Sequence, residues 1–207
     1  MSKKTPKKNV NRVPATLRRE QLVDATLQIM REKGVQSVTL RAVAAEAKAS
    51  LASVHYCFNN KEELLRSAVE HWLRTMVTDS INLETTSGIR DAVNQMTTSF
   101  WEGLRNGPND LIAQFEVTLW TARESSGIAF AQNIYPMYVE EMSAALARSL
   151  EKSGGTCGWS LDRFSRALLC IIDGCGIQYL SDPTSNAQEL CLDLVDILLE
   201  HADVPKH

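Results

Sequence analysis

Hydrophobic residues recur at helical spacing along almost the whole chain after residue 15. Leu22, Ala25 and Ile29 lie three or four positions apart, and similar spacing continues almost to the carboxyl end. No segment sustains the alternation of apolar and polar residues that is typical of a half-buried strand. The pattern therefore predicts an all-α protein of about nine helices.

Capping residues, glycines and prolines predict where these helices begin and end. Thr39 and Ser50 are expected to cap two short helices, and Asn60 with Glu63 forms a capping-box pattern before a longer one. Gly34 is expected to end the first helix in a left-handed conformation. Further breaks are expected at Gly107-Pro108, Gly154-Gly155 and Asp182-Pro183, and a second capping box at Ser185 and Gln188. Pro136 is expected either to begin a helix or to kink it. In the helix after Gly107-Pro108, the expected apolar face comprises Leu111, Ile112, Phe115 and Leu119.

The charge of the chain is divided unevenly along its length. The 207 residues carry a net charge of −3, but residues 1–66 hold 13 Lys and Arg against 6 Asp and Glu, a balance of +7. Residues 67–207 hold 9 against 19, a balance of −10. This split favours an amino-terminal part that contacts a polyanion, although chance clustering of surface charge stays the alternative.

Composition excludes several classes of protein. No apolar run is long enough to cross a bilayer, and none follows the first basic residues as in a secretory signal, so we expect a cytoplasmic protein without membrane contact. The five cysteines contain no C-x-x-C pair, so neither a metal site nor a disulfide framework is expected. Hydrolase, zinc-protease and phosphate-loop motifs are absent, and we expect neither an enzyme nor a cofactor.

The first fifteen residues predict a disordered basic arm. Residues 1–19 contain seven basic residues and no acidic one: Lys3, Lys4, Lys7, Lys8, Arg12, Arg18 and Arg19. The arm either only solubilises the chain or follows DNA phosphates. In the second case, each neutralised phosphate would steepen the slope of log K for DNA binding against log salt concentration by about 0.9.

The segment from Thr39 to Phe58 has the build of a helix-turn-helix. Two short helices are joined by a turn of about four residues, and small alanines lie where the helices must cross closely. Ser50, Ser53, His55 and Tyr56 give the second helix polar groups suited to phosphates and base edges. Thr39 and Lys61 stand at helix N-termini, which favour phosphates.

The stretch from Arg19 to Leu65 resembles the DNA-binding domain of the TetR family of bacterial transcription regulators. The matching pieces are RREQLVDATLQIMREKGVQSVTLRAVAAEA and ASLASVHYCFNNKEELL, which close on the F-x-x-K-E-x-L-L pattern that begins at Phe58. The resemblance implies a three-helix DNA-binding domain over residues 16–66. It also implies a larger ligand-binding and dimerisation domain over residues 67–207.

The resemblance also assigns DNA-binding roles to individual residues. It makes Arg41 a base-reading candidate and places the start of the recognition helix at Ser50. The full set of DNA-binding candidates is Thr39, Arg41, Ser50, Leu51, Ala52, Ser53, His55, Tyr56 and Lys61. Three positions depart from the family pattern. Lys48 replaces the usual turn glycine, so a non-glycine must adopt left-handed geometry there; His55 replaces a tyrosine, and Cys57 replaces a more polar residue.

A homodimer is expected because one helix-turn-helix offers too small a contact for operator specificity. Two glycines inside the apolar run of residues 171–177 indicate close approach of another helix, since each costs about 1 kcal/mol relative to alanine. The resemblance places the last two helices in a four-helix bundle with those of the second copy. Our hypothesis for this seam is Gly174, Gly176, Leu190, Leu194, Ile197 and Leu198.

The family also binds a small molecule among its middle helices, and its identity here is unknown. Candidate lining residues are Met96, Phe100, Trp101, Phe115, Trp120, Tyr135, Tyr138, Asp173 and Gln178, although such residues are also typical of a core. Asp173 is a carboxylate within an apolar run, and burial without a partner would be costly. It should therefore meet either a donor from the protein or a cationic or hydrogen-bonding ligand.

These patterns together predict a ligand-responsive, TetR-like repressor that binds a palindromic DNA operator as a dimer. The alternative is an all-helical small-molecule-binding protein or enzyme that has no role on DNA.

Overall fold

The computed structural model describes residues 14–82, 86–123, 128–153 and 155–205, and only the backbone of residues 128–131. Within these ranges the chain forms nine α-helices and a short 3-10 helix, and the all-α prediction is confirmed. The helices are α1 (Ala15–Lys33), α2 (Leu40–Glu46), α3 (Leu51–Cys57), α4 (Lys61–Ser80), α5 (Ile89–Asn106), α6 (Asn109–Arg123), α7 (Ile128–Ser153), α8 (Leu161–Ser181) and α9 (Ala187–His201); the 3-10 helix is Val35–Ser37. The basic arm lies outside the described residues through residue 13.

The predicted caps of the first helices are present. The side chains of Thr39 and Ser50 each accept a hydrogen bond from the backbone N–H three residues later, at 3.0 and 3.1 Å. Asn60 does the same for the N–H of Glu63 at 2.8 Å. The Glu63 carboxylate accepts from the backbone N–H of Asn59 at 2.9 Å, one residue before the position that a capping box uses.

Several sequence expectations need correction. Gly34 has a positive φ of 79°, but its ψ of 162° is extended rather than left-handed. Pro136 lies inside α7, which excludes only the first of its two alternatives, a helix start. The residue before α9 is Asn186 with no side-chain cap, and the Ser185 hydroxyl has no partner within the described chain, so the second capping box is absent.

The buried face of α6 also differs from the predicted one. Leu111 is buried as expected, but Ile112 and Leu119 are 40% and 59% exposed. The buried face instead includes Gln114 and Thr121. These polar groups are accommodated because Gln114 bonds a carboxylate of another helix and Thr121 bonds a backbone carbonyl of its own helix.

Helix α4 connects the two ends of the molecule. Its first turns pack Leu64 and Leu65 into the core that α1, α2 and α3 form around Val43 and Val54. Its later turns bury Trp72 against α5 and α7. We call α1 to α3 with the first turns of α4 the head, and the remaining helices the body.

Within the body, α7 packs against α4, α5, α6 and α8, and α8 packs along α9. Helix α6 also reaches the head, where it contacts α1 and the 3-10 helix. Across the described residues, no helix is long and apolar enough to cross a membrane.

Candidate DNA-binding surface and ligand cavity

The turn between α2 and α3 adopts the geometry that the family resemblance implies. Lys48 has a φ of 49°, so a non-glycine does occupy a left-handed position. The chain then returns through a hydrogen bond of 2.8 Å from the N–H of Ala49 to the carbonyl of Ala44. On α3, Val54 is fully buried and holds the helix against the head. The opposite side of α3 therefore faces solvent.

Most predicted DNA-binding residues have exposed or partly exposed side chains on α2 and α3. Tyr56 is 73% exposed, a large fraction for an aromatic ring. Ser50 and Ser53 lie at the start of α3 and their hydroxyls are 2.8 Å apart. Exposed side chains also occur at Thr39, Arg41, Ala52 and His55, and Leu51 is partly buried. The N-termini of α2 and α3 thus present a polar surface with backbone N–H groups, which suits phosphate contact.

The ammonium group of Lys61 contacts groups of the head and of α6. Its ammonium nitrogen is 4.5 Å from the centre of the Trp120 ring and donates to the carbonyl of Val35 at 3.3 Å. The ammonium therefore joins the head to α6, while Lys61 itself opens α4 as predicted. Trp120, which we expected to line a ligand site, serves as the partner of this cation.

Arg19 makes internal contacts in the head that its place in the sequence pattern did not predict. Its guanidinium donates to the carbonyl of Cys57 at 2.6 Å and to the Ser67 hydroxyl at 2.8 Å. It also stacks 4.1 Å from the centre of the Phe58 ring and lies 3.5 Å from the Glu63 carboxylate. Arg19 thereby ties α1 to the end of the recognition helix and to α4.

A cavity of about 270 Å³ lies among the helices of the body. Its lining is mostly apolar and comes from α4, α5, α6, α7 and α8, with Gly107 from the α5–α6 connection. The residues that line it are Trp72, Met76, Val77, Asp79, Ser80, Met96, Ser99, Phe100, Gly103, Leu104, Gly107, Asp110, Leu111, Gln114, Tyr138, Met142, Leu169, Ile172 and Asp173.

The predicted lining residues divide between the cavity and its surroundings. Those that line it directly are Met96, Phe100, Tyr138 and Asp173. Tyr135 lies behind Asp173, Trp101 is buried in the core, and Phe115 is partly buried in the packing of α6. Gln178 is exposed, and its amide donates to a carbonyl of its own helix. The contribution of α4, led by Trp72, was missed because its apolar residues also serve the core.

Asp173 is the polar centre of the cavity wall. Its two carboxylate oxygens accept hydrogen bonds from the Tyr135 hydroxyl at 2.7 Å and the Gln114 side-chain amide at 3.2 Å. Burial raises the pKa of Asp173, and these two hydrogen bonds oppose that rise. Burial also raises the pKa of Tyr138, whose hydroxyl has no hydrogen-bond partner in the described part of the chain.

The predicted dimer seam is only partly at the surface. Gly176 is buried, and a Cβ there would lie 2.8 Å from both Leu111 and Phe100 of the same chain. The close approach inferred for this glycine therefore occurs inside one subunit, and its placement at the seam is wrong. Leu198 is likewise buried within the chain. By contrast, a Cβ at Gly174 would meet no atom within 4 Å.

Other members of the predicted seam remain accessible on the last two helices. Leu190 and Ile197 on α9 are 38% and 52% exposed, and Leu194 is partly buried. Ile177 on α8, which sequence analysis did not include, is 45% exposed. These side chains leave apolar area uncovered on α8 and α9, as is typical of a protein interaction site.

A helix-turn-helix head on a helical body with an apolar cavity defines the class of DNA-binding regulators that respond to small molecules. Residues 22–68 match the family model described as bacterial regulatory proteins, tetR family. The nicotine-responsive transcriptional repressor HdnoR of Paenarthrobacter nicotinovorans is 34% identical over 191 residues, which cover 91% of this chain and 97% of that protein. The chain belongs to the TetR family of bacterial transcription regulators.

Other similarities agree with this assignment. The transcriptional regulator BetI of Burkholderia thailandensis is 40% identical over 60 residues, 29% of this chain and 31% of that protein. A TetR transcription regulator from Haloarcula marismortui shares the fold with a TM-score of 0.67 and 19% identity, over 92% of this chain and 100% of that one. The multidrug-binding protein EbrR, solved with imidazole, shares the fold with a TM-score of 0.65 and 20% sequence identity, over 98% of this chain and 100% of that one.

Proposed function

We propose that this chain is a ligand-responsive repressor that binds a two-fold symmetric operator as a homodimer. The observation that carries the proposal is the solvent-facing surface of α3, where Tyr56 and His55 project beside the capped helix start at Ser50. Such a surface fits the major groove, with the helix N-terminus toward the phosphates. In this proposal residues 16–66 bind DNA and residues 67–207 bind the effector and the second subunit.

The exposed apolar residues of α8 and α9 support the dimer. Leu190, Ile197 and Ile177 lie on the two helices that the family uses for association, and Gly174 leaves room for close approach there. A dimer positions two recognition helices on successive half-sites about one helical turn apart, roughly 34 Å. An operator with matching two-fold symmetry is therefore expected.

The effector is expected to act through the helices that reach both the cavity and the head. Helix α4 begins at Lys61 in the head and places Trp72 and Met76 in the cavity wall. A ligand that fits the cavity better when α4 is displaced would favour a state with altered spacing of the recognition helices. The 34% identity to a nicotine-responsive repressor makes nicotine the first effector to assay.

A footprint on the DNA that flanks the gene tests the proposal, with affinity measured at fixed salt. Arg41→Ala and Tyr56→Ala are each expected to weaken operator binding at least tenfold. Arg123→Ala is a control of matched charge, since it removes an exposed arginine of the body, and should change the affinity less than threefold. Absence of a protected site would contradict the proposal and favour a ligand-binding protein without a role on DNA.

A further inference from the structure

The charged residues that line the cavity are all acidic. They are Asp79, Asp110 and Asp173, and no Lys, Arg or His is among the described residues of the wall. Asp79 and Asp110 are exposed, and Asp110 is paired with Arg31 of α1. Asp173 is partly buried and lies in the wall beside Ile172 and Gln114. The cavity thus presents negative charge to whatever enters it.

Asp173 has neutral partners only. Tyr135 and Gln114 each donate one hydrogen bond to it, and no ion pair joins it to any described residue. A carboxylate offers about four acceptor positions, so two are satisfied and others remain for a ligand. The neutral donors hold the carboxylate in place without neutralising its charge. A cation that enters beside such a carboxylate favours its ionised form and pairs with it.

A second polar group of the wall also lacks a partner. The Tyr138 side chain is 1% exposed and lines the cavity, and its hydroxyl makes no hydrogen bond to the described residues. A buried hydroxyl without a partner is destabilising, so a polar atom of a ligand would relieve it. Around these two groups the wall is aromatic and aliphatic, with Trp72 and Phe100 offering ring surface that attracts cations.

We infer that the cavity binds a small organic monocation, an amine that is protonated at neutral pH and carried on an aromatic or aliphatic skeleton. Its ammonium group pairs with Asp173, its skeleton packs against Trp72 and Phe100, and a second polar atom reaches the Tyr138 hydroxyl. Tyr135 and Gln114 act as positioning residues for the carboxylate. The inference rests on the proposed function, because it names the class of effector that the regulator senses.

Calorimetric titration of the full-length protein without DNA tests this inference. The probes are two matched pairs of similar shape: nicotine and its neutral lactam cotinine, and 4-phenylbutylamine and neutral 4-phenylbutanol. Within the pairs, at least one amine is expected to bind tenfold or more tightly than its neutral counterpart. Equal binding of both members of each pair, or binding of no amine, would overturn the inference.

Two variants of matched charge locate the site of the ion pair. Asp173→Asn keeps the size of the side chain and an acceptor for Tyr135, and should weaken amine binding at least tenfold while leaving the neutral probes unchanged. Asp162→Asn removes a charge from an exposed residue of the same helix, α8, that does not line the cavity, and it should change amine binding less than threefold. Equal losses in the two variants would overturn the assignment to Asp173.

The outcome is separable from that of the proposed function. If the protein bound amines through Asp173 but protected no DNA site, the repressor function would be contradicted and the present inference would stand. If the neutral probes released the operator and the amines did not, the proposed repressor function would stand and the inference of a monocationic effector would be overturned.

Discussion

The carboxylate of Glu116 on α6 accepts a hydrogen bond of 3.1 Å from the backbone N–H of Val35, in the 3-10 helix that follows α1. Two residues earlier on α6, Gln114 donates to Asp173 in the cavity wall. One helix therefore contacts the cavity on one face and the head on another. The same carboxylate also fills the space beside Gly34, because a Cβ at Gly34 would lie 2.9 Å from one of its oxygens.

Loss of the Glu116 contact is expected to weaken communication between the cavity and the head. Glu116→Ala should still bind the operator, but a saturating effector should lower its operator affinity less than in the wild type, by about 1 kcal/mol or roughly fivefold. The measurement is operator affinity with and without effector. Glu102→Ala, which removes an exposed glutamate of α5, serves as the control. An unchanged effector response in Glu116→Ala would contradict a role for this contact.

Arg19 is expected to contribute to the stability of the head through its bonds to Cys57 and Ser67. Arg19→Ala should lower the free energy of unfolding by about 2 kcal/mol, since two charged hydrogen bonds and a ring contact are lost from a side chain that is still 42% exposed. Lysine at this position, in Arg19→Lys, should retain less than half of the stability that Arg19→Ala loses, because an ammonium group lacks the forked geometry that serves both acceptors.

Urea denaturation without DNA measures both effects. The neighbouring Arg18→Ala should change stability by less than about 0.5 kcal/mol, as is usual for substitutions away from such contacts. If Arg18→Ala and Arg19→Ala had equal effects, the loss would reflect net charge rather than the contacts of Arg19.

Features that depend on one side chain and the adjacent backbone could be predicted from the sequence. The caps at Thr39, Ser50 and Asn60 form within three residues. The left-handed position of Lys48 was implied by the resemblance, because the family usually has a glycine there. The succession of helices followed from apolar spacing. Ser185 shows the limit, because a matching pattern did not produce a cap.

Features that depend on contacts between distant helices could not be predicted. Gln114 is buried because Asp173, 59 positions later, accepts its hydrogen bond, and apolar spacing alone assigns such a polar residue to the surface. Trp120 was expected near a ligand but covers the ammonium of Lys61. Whether an aromatic residue lines a cavity or fills a contact is decided by the helix opposite it.

The two glycines of α8 are expected to respond differently to leucine. At Gly176 the added side chain would collide with Leu111 and Phe100, so Gly176→Leu should lower the free energy of unfolding by about 2 kcal/mol. At Gly174 a side chain meets open space within the chain, so Gly174→Leu should keep the helical signal but move sedimentation toward monomer, because it obstructs the proposed dimer surface.

Denaturation and sedimentation of both variants distinguish the two roles. Measurements at several protein concentrations are needed, since a weaker dimer also lowers apparent stability in a concentration-dependent manner. A Gly176→Leu protein that dissociates without loss of fold stability would return this glycine to the dimer surface.

The raised pKa of Asp173 predicts how stability changes with pH. Burial raises the pKa in the folded chain above the ordinary value, so the folded state holds this proton more tightly than the unfolded state. The stability contributed by this group is therefore fully present below the unfolded pKa, near 4, and falls as pH rises through the folded pKa. The groups of α7 that face Asp173 are Tyr135 and Tyr138, whose raised pKa values keep them neutral between pH 4 and pH 7. The Gln114 amide of α6 carries no charge at any pH in this range.

Asp173→Asn removes this dependence and is expected to be more stable than the wild type at pH 7, with the difference vanishing near pH 4. Urea denaturation of both proteins across this range, without ligand, measures the difference. Parallel curves would show that burial of the carboxylate does not govern the response. The same substitution should abolish selective amine binding, so a protein that is more stable and has lost that selectivity would identify Asp173 as a charge retained for its ligand rather than for the fold.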